Sequence, residues 1–278
     1  MWRLYDDLYI GIPSGITIDS CIIGEKWVTV RSNGNVGIAR LIEPATHAGA
    51  EFTGKYLRDT GCHLWWDNLT KAAAGVAALN AWYNTPERAE GLASSAYCYE
   101  DVTGKIAAVG ECPLLSKSGK KVEAFELPMC PEAVTEEAYG ALKKYDCVVI
   151  SGDAITTRSA EALIELIGEE GYVIMDGASV PMSPSFFAFD MPVKRINGYY
   201  RRFDNTMENA ARLGIADIEP GTISFSVVPV APEYVHERKN VENFKNSPYR
   251  ASKFNQRRFA DWQGKEYDYT TWDEQFRG

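Results

Sequence analysis

The chain has 278 residues, 45% of them hydrophobic and 24% charged, which excludes a globally disordered protein and leaves room for two ordinary domains. Its formal net charge of −9 repels phosphate backbones and argues against nucleic acid as a general partner. No apolar run reaches the ~18 residues of a membrane span, and "MWRLYDDLYIG" lacks the pattern of a secretory leader, so a cytoplasmic protein with no membrane partner is expected.

A short N-terminal helix is expected first, then an antiparallel meander. "GITIDSCII" (15–23) and "EKWVTVRS" read as strands, and "VGIARLI" follows them after "NGN". Asn33-Gly34 between two β-rich runs is a hairpin signal, because such turns need positive φ at both central positions. A helical piece is expected near "AEFTGKYL". "LTKAAAGVAALNAWYN" then carries Leu, Val and Trp on a helical period, with Asp67 or Asn68 as its N-cap. Its small residues Ala72, Ala73, Gly75 and Ala78 predict close packing on a neighbour, and Pro86 should end it near Asn84.

The pattern changes after about residue 100. "GKIAAVG" (104–110), "KVEAFEL" (121–127), "DCVVISG" (146–152), "YVIMDG" (172–177) and "VKRINGYY" (193–200) read as strands. "TEEAYGALKKY" and "TRSAEALIELIGEEG" read as helices between them, the first with acids leading and lysines trailing as the helix dipole favours. Apolar strands alternating with helices imply a parallel sheet covered on both faces. Gly110, Gly152 and Gly177 fall at strand tips, and ligands bind at the carboxyl ends of such strands.

Residues 231–278 hold only two aliphatic branched side chains, Val235 and Val241, beside many aromatics and charges, too little to build a core. We expect an arm that lies on the parent domain or on a second subunit, so that the partner is a second copy of the chain in a homo-oligomer. Basic "YRASKFNQRRF" (249–259) fits a clamp between subunits better than an RNA contact, beside so many acids.

Candidate chemistry is sparse. A structural zinc site needs four closely spaced Cys/His ligands. This sequence has three histidines, His47, His63 and His236, and six scattered cysteines without a Cys-x-x-Cys. The cysteines read as reduced, mostly buried thiols. Cys62-His63 is the one adjacent soft pair, and a buried Cys beside a partly exposed His at a helix entry explains it better than a metal. His47 could join the pair if its loop folds back. A metal chelate that brings its own donors would need few from the protein.

"RSNGNVG" lies between strands and lacks the Lys-Ser/Thr of a phosphate loop, so the hairpin reading prevails, with Arg31 open to a ligand carboxylate or to a surface ion pair. "AVGECP" has one glycine of a dinucleotide fingerprint, and Glu111 sits where a diphosphate would approach, which disfavours NAD and favours a cationic or hydroxyl-rich ligand. "SGDAITTRSAEALI" offers Thr156, Thr157 and Ser159 at a helix entrance, where capping and anion binding are both open. "DGASVPMSPSFF" reads as a shaped loop over a pocket or as a plain strand-to-helix connection. There is no Gly-x-Ser-x-Gly nucleophile elbow.

Several stretches together resemble one family. They are "MWRLYDDLYIGIP", "VRSNGNVGIA", the Gly-Cys of "TGCHLWWDN", "GVAALNAWYN", "AVGECP", "DCVVISGDAITTRSAEALIEL" and "DGASVPMSPSFF", within residues 1–225. The sequence resembles the putative heavy-metal chelation domain family, whose members pair an enolase-N-terminal-like domain with a Rossmann-like domain. The resemblance implies a ligand cleft between the domains. It carries over onto Arg31, Asn33, Cys62, Asn80, Tyr83, Asn84, Gly110, Gly152, Thr156 and Gly177, and it singles out Cys62 rather than His63 as the candidate metal ligand. The tail after about residue 231 lies outside the family pattern, and Glu111 and Cys112 depart from it.

The expected protein is thus α/β. Residues 1–100 form an antiparallel β-meander plus helices (enolase-N-terminal-like), residues 101–230 a Rossmann-like parallel sheet, and residues 231–278 an extended C-terminal arm. The expected function is binding of a small polar ligand in the interdomain cleft, a transition-metal chelate or metallophore-like compound included. Arg31 and Asn33 would anchor it, Asn80, Tyr83 and Asn84 would line the floor, and the loops of Gly110, Glu111, Gly152, Thr156 and Gly177 would close over it. Two other classes compete. One is a transferase or lyase acting on a small metabolite or nucleotide-like substrate through Cys62, Asp67, Glu111 and Asp153. The other is a structural subunit that uses the arm.

Overall fold

The computed structural model describes residues 4–62, 68–87, 99–187, 192–202 and 205–228, together with the backbone of 259–260 and 266–267, which pair antiparallel. The rest of the expected C-terminal arm, Asp67 and His63 lie outside the described residues. Among the described residues, no helix is long and apolar enough to cross a membrane.

The protein is α/β, with a three-stranded antiparallel sheet near the N-terminus and a six-stranded, mostly parallel sheet after it. The first sheet has β1 (Ser20–Ile23), β2 (Trp27–Ser32) and β3 (Asn35–Arg40) in sequential order. Asn33 and Gly34 form the β2–β3 turn with φ of 49° and 78°, and Ser32 pairs with Asn35. Both central residues are in the left-handed region, as a two-residue hairpin whose twist matches its strands requires.

Three helices accompany this sheet, α1 (Leu4–Ile10), α2 (Leu57–Gly61) and α3 (Leu69–Tyr83). Asn68 caps α3, its side chain accepting from the Lys71 amide at 3.0 Å. Of the fifteen residues of α3, twelve are buried, so the helix is a shared central element and not an amphipathic surface one. Its alanines let β3 approach the helix backbone directly. A Cβ at Gly37 of β3 would overlap the backbone of Ala77 and Ala81.

The larger sheet has the order β5-β4-β6-β7-β8-β9. Its strands are β4 (Ile106–Val109), β5 (Val122–Phe125), β6 (Cys147–Ser151), β7 (Val173–Asp176), β8 (Val193–Arg201) and β9 (Thr222–Val227). The first five pair in parallel. β9, not among the strands expected from the sequence, runs antiparallel to β8. The connecting helix α8 (Thr206–Leu213) explains the reversal. It does not cross back over the larger sheet; it packs on β1 and β2, and the chain then re-enters beside β8 in the opposite direction. The smaller sheet is therefore covered by α3 and by α8.

The helical segment after β6 is broken into α6 (Asp153–Thr156) and α7 (Ala160–Ile167), with Arg158 between them at φ 62°. The segment before β6 is likewise short: α5 (Glu136–Tyr139), capped by Thr135, continues as a 3-10 turn. After β4 comes α4 (Pro113–Lys117), which opens on proline, whose missing N–H costs nothing in a first turn.

Candidate functional site

A cleft of about 460 Å³ opens where the smaller sheet meets the carboxyl ends of β4, β6 and β7. One wall is the start of β2 and the end of β3, with Lys26, Trp27, Arg40 and Leu41. The other is the strand tips, with Glu111 after β4, Ser151 and Asp153 at β6, and Gly177 after β7. Chain order reverses between β4 and β6, because β5 was laid on the outer side of β4. Such a switch point splays the two loops apart and leaves a crevice.

Arg40 holds the centre of this cleft. Its guanidinium meets Glu111 with two prongs, Nη1 on Oε2 and Nη2 on Oε1 at 2.9 Å, and Nη1 also reaches Asp153 Oδ2 at 3.3 Å. Ser179, fully buried, accepts from the Arg40 amide at 3.0 Å and donates to Asp153 Oδ1 at 2.9 Å. Asp153 is buried, and burial pushes its carboxyl above the usual range, opposed by Arg40 and by the Ser179 hydroxyl. The arrangement thus balances one cation against two carboxylates, one exposed and one buried, in a partly dry crevice.

A further carboxylate stands behind the cleft. Asp176, at the tip of β7, is fully buried and accepts from Tyr99 Oη at 2.8 Å and from the Leu115 amide at 2.8 Å. Burial pushes its carboxyl up to about 6, against the pull of those donors. The contact anchors the first turn of α4, which carries Pro113 into the cleft wall.

Of the residues the sequence singles out, Glu111, Asp153 and Gly177 line this cleft. Gly110, with φ 74°, turns the chain from β4 toward Glu111. Gly152 is a packing position: a Cβ there would lie 2.7 Å from Val180 Cγ2 and 2.9 Å from the Ser179 carbonyl carbon. The others lie outside its lining.

Arg31 pairs with Glu208 and donates to Asn205 Oδ1 at 3.0 Å, so it ties β2 to the start of α8. Asn33 is exposed at the hairpin tip. Asn80 and Asn84 are buried and bonded to backbone. Asn80 Nδ2 donates to the Ile38 and Ala178 carbonyls at 2.7 and 2.9 Å. Asn84 Nδ2 donates to Val180 and Tyr199 carbonyls at 2.9 and 3.1 Å, while its Oδ1 accepts from the Met182 amide at 2.6 Å. These amides staple α3 to the buried loop after β7 and do not form a ligand floor. Tyr83 donates from Oη to the Leu8 carbonyl at 2.9 Å, fixing α1 on α3. Thr156 is fully buried inside the four-residue α6.

Cys62 caps α2 and is half-buried outside the cleft lining, and burial raises its thiol, followed by the charge of Asp59. Among the described residues no three His, Cys, Asp or Glu side chains come together in a way that could hold a metal ion. The cleft itself offers carboxylate oxygens already engaged by a guanidinium, whereas heavy metals favour thiolate and imidazole. Cys112 beside the cleft is buried, and burial raises its thiol well above the usual range. These residues do not fit a bare heavy-metal ion.

The sequence missed Arg40 and Ser179 as site residues. Arg40 ends the third meander strand, where a cation is ordinary and no local signal marks it.

Two family models match the chain, over residues 5–83 and 97–220, and both carry the description putative heavy-metal chelation. No curated protein matches. Among solved structures, the chain is similar to a DUF364-family protein of unknown function from Desulfitobacterium hafniense. That match has a TM-score of 0.67 and 21% identity, and covers 82% of this chain and 97% of the other. It is also similar to a DUF364-family protein of unknown function from Pyrococcus horikoshii, with a TM-score of 0.61 and 15% identity, covering 81% and 100%. With both halves matched, the chain belongs to the family described as putative heavy-metal chelation.

Proposed function

We propose that the cleft around Arg40 binds a small polar organic ligand that carries both an anionic and a cationic or hydroxyl-rich group. The observation that carries this reading is the Arg40 guanidinium shared by Glu111 and Asp153 in a cleft of about 460 Å³ at the strand switch point. That volume falls within the ~300–1,000 Å³ of ordinary small-molecule sites. An incoming carboxylate would compete for Arg40, and the carboxylates it releases would receive the ligand's cationic or hydroxyl groups. Any metal would travel inside the ligand, held by the ligand's own donors, in keeping with the family description and with the lack of a metal-holding cluster among the described residues.

Native mass spectrometry with elemental analysis of the full chain tests this. A co-purifying organic mass, lost in Asp153→Asn and in Glu111→Gln, is expected, with any metal leaving together with it. Stoichiometric metal retained without an organic mass would overturn the proposal.

A further inference from the structure

A second cavity, of about 880 Å³, adjoins the Arg40 cleft through Tyr199 and Glu219, which line both. Its charge differs from the rest of the molecule. Lys117, Lys120 and Arg202 line it in a chain whose net charge is −9. Two acids, Glu100 and Glu219, also reach the wall, but Glu219 is neutralised by its ion pair with Lys117.

The remaining two cations are positioned by neutral groups. Lys120 Nζ donates to the Val102 carbonyl at 2.9 Å, and Arg202 Nε donates to the Thr222 carbonyl at 3.1 Å. A carbonyl orients a cationic head without cancelling its charge, so both keep donors to spare: the two Nη groups of Arg202 and the remaining hydrogens of Lys120. Ser224 of β9, half-buried, adds a hydroxyl to the wall.

We propose that this cavity binds the phosphoryl group of a small phosphorylated molecule, its oxygens taken by Arg202, Lys120 and the Ser224 hydroxyl. A guanidinium fork, an ammonium and a hydroxyl match the acceptor-rich tetrahedral anion. The volume holds a molecule well beyond phosphate itself. This assignment does not rest on the reading of the Arg40 cleft.

Calorimetric titration of the full chain with orthophosphate and with pyrophosphate, at constant ionic strength, tests it. Saturable binding of at least one anion is expected, weakened about tenfold by Arg202→Gln and less by Ser224→Ala. Binding should be unchanged in Lys121→Gln, on the exposed surface beside the cavity. Arg202 is exposed, so its variant should fold. Absence of saturable binding by both anions overturns the site. So does an equal loss in Lys121→Gln, which would mark diffuse attraction to surface cations.

Discussion

Arg40 and Glu111, 71 residues apart in the chain, meet across the cleft as a two-pronged ion pair. Arg40 also reaches Asp153, and the two acids differ in burial: their side chains are 74% and 10% exposed. The two halves of the bridge should therefore not cost the same to break. Glu111→Gln should lose less than about 1 kcal/mol, as exposed pairs do. Arg40→Ala strands a buried carboxylate and should lose about 3 kcal/mol at neutral pH in urea unfolding. Because Asp153 takes a proton more readily than usual, the Arg40→Ala deficit should shrink as pH falls through the carboxylate range. A deficit that does not change with pH would mean that Asp153 is not the stranded group.

Asn84 uses its amide three times on backbone of the loop after β7 and of β8. Asn84→Ala orphans a buried amide and two carbonyls, and should cost about 3–4 kcal/mol. Asn84→Asp removes the donors and sets a carboxylate against two carbonyls. Its thermal midpoint should fall further at neutral pH and partly recover in acid, when the carboxyl carries a proton that can donate. Equal stability of Asn84→Ala and the parent chain would remove the staple from this account.

Gly37 permits the contact of β3 with α3, and no flexible side chain stands there to give way. Gly37→Ala should destabilise by about 3 kcal/mol or prevent folding, as overpacking against backbone does. Circular dichroism of the purified variant, followed by thermal melting, reads this directly. A melting point within a degree or two of the parent would contradict it.

Glu161, on the first turn of α7, faces Glu165 and the acids Asp6 and Asp7 of α1. Burial, followed by those charges, pushes its carboxyl up to about 7 from 4.5. The folded chain therefore holds this proton longer than the unfolded one. Stability falls as pH rises from 4.5 toward 7, and the cost is complete above 7. Glu161→Gln should be more stable than the parent above pH 7 and equal to it below pH 4.5. After discounting for solvent screening, the gain should be about 1–2 kcal/mol. Denaturant midpoints at the two pH extremes decide it; a constant offset would exclude titration as the cause.

Much of the fold is legible in the sequence because its signals are local. Asn33-Gly34 marks its turn through backbone sterics alone. The alanines of α3 announce a helix with close neighbours, and Pro86 announces where it ends. The continuous apolar runs of β4, β6 and β7 announce strands buried on both faces. The site is far less legible. Glu111 and Gly177 stand out through their strand tips, but Arg40 reads as an ordinary strand-end cation. Nothing around it in sequence indicates that its partners lie 71 and 113 residues away.

The two asparagines make the same point from the other side. The family resemblance marks them as ligand residues, yet their partners are carbonyls and an amide of distant backbone. Every residue carries such groups, so the sequence holds no mark of which ones are used.

The sequence by itself determined the element types, the hairpin, the central helix and an acidic, mixed α/β protein, because periodicity and turn chemistry act over a few residues. Only the tertiary structure decided that α8 covers the smaller sheet, that β9 consequently returns antiparallel, and that Arg40, Glu111 and Asp153 share one cleft. Those outcomes depend on which surfaces meet after the chain has folded, and packing between distant segments leaves no local periodicity to read.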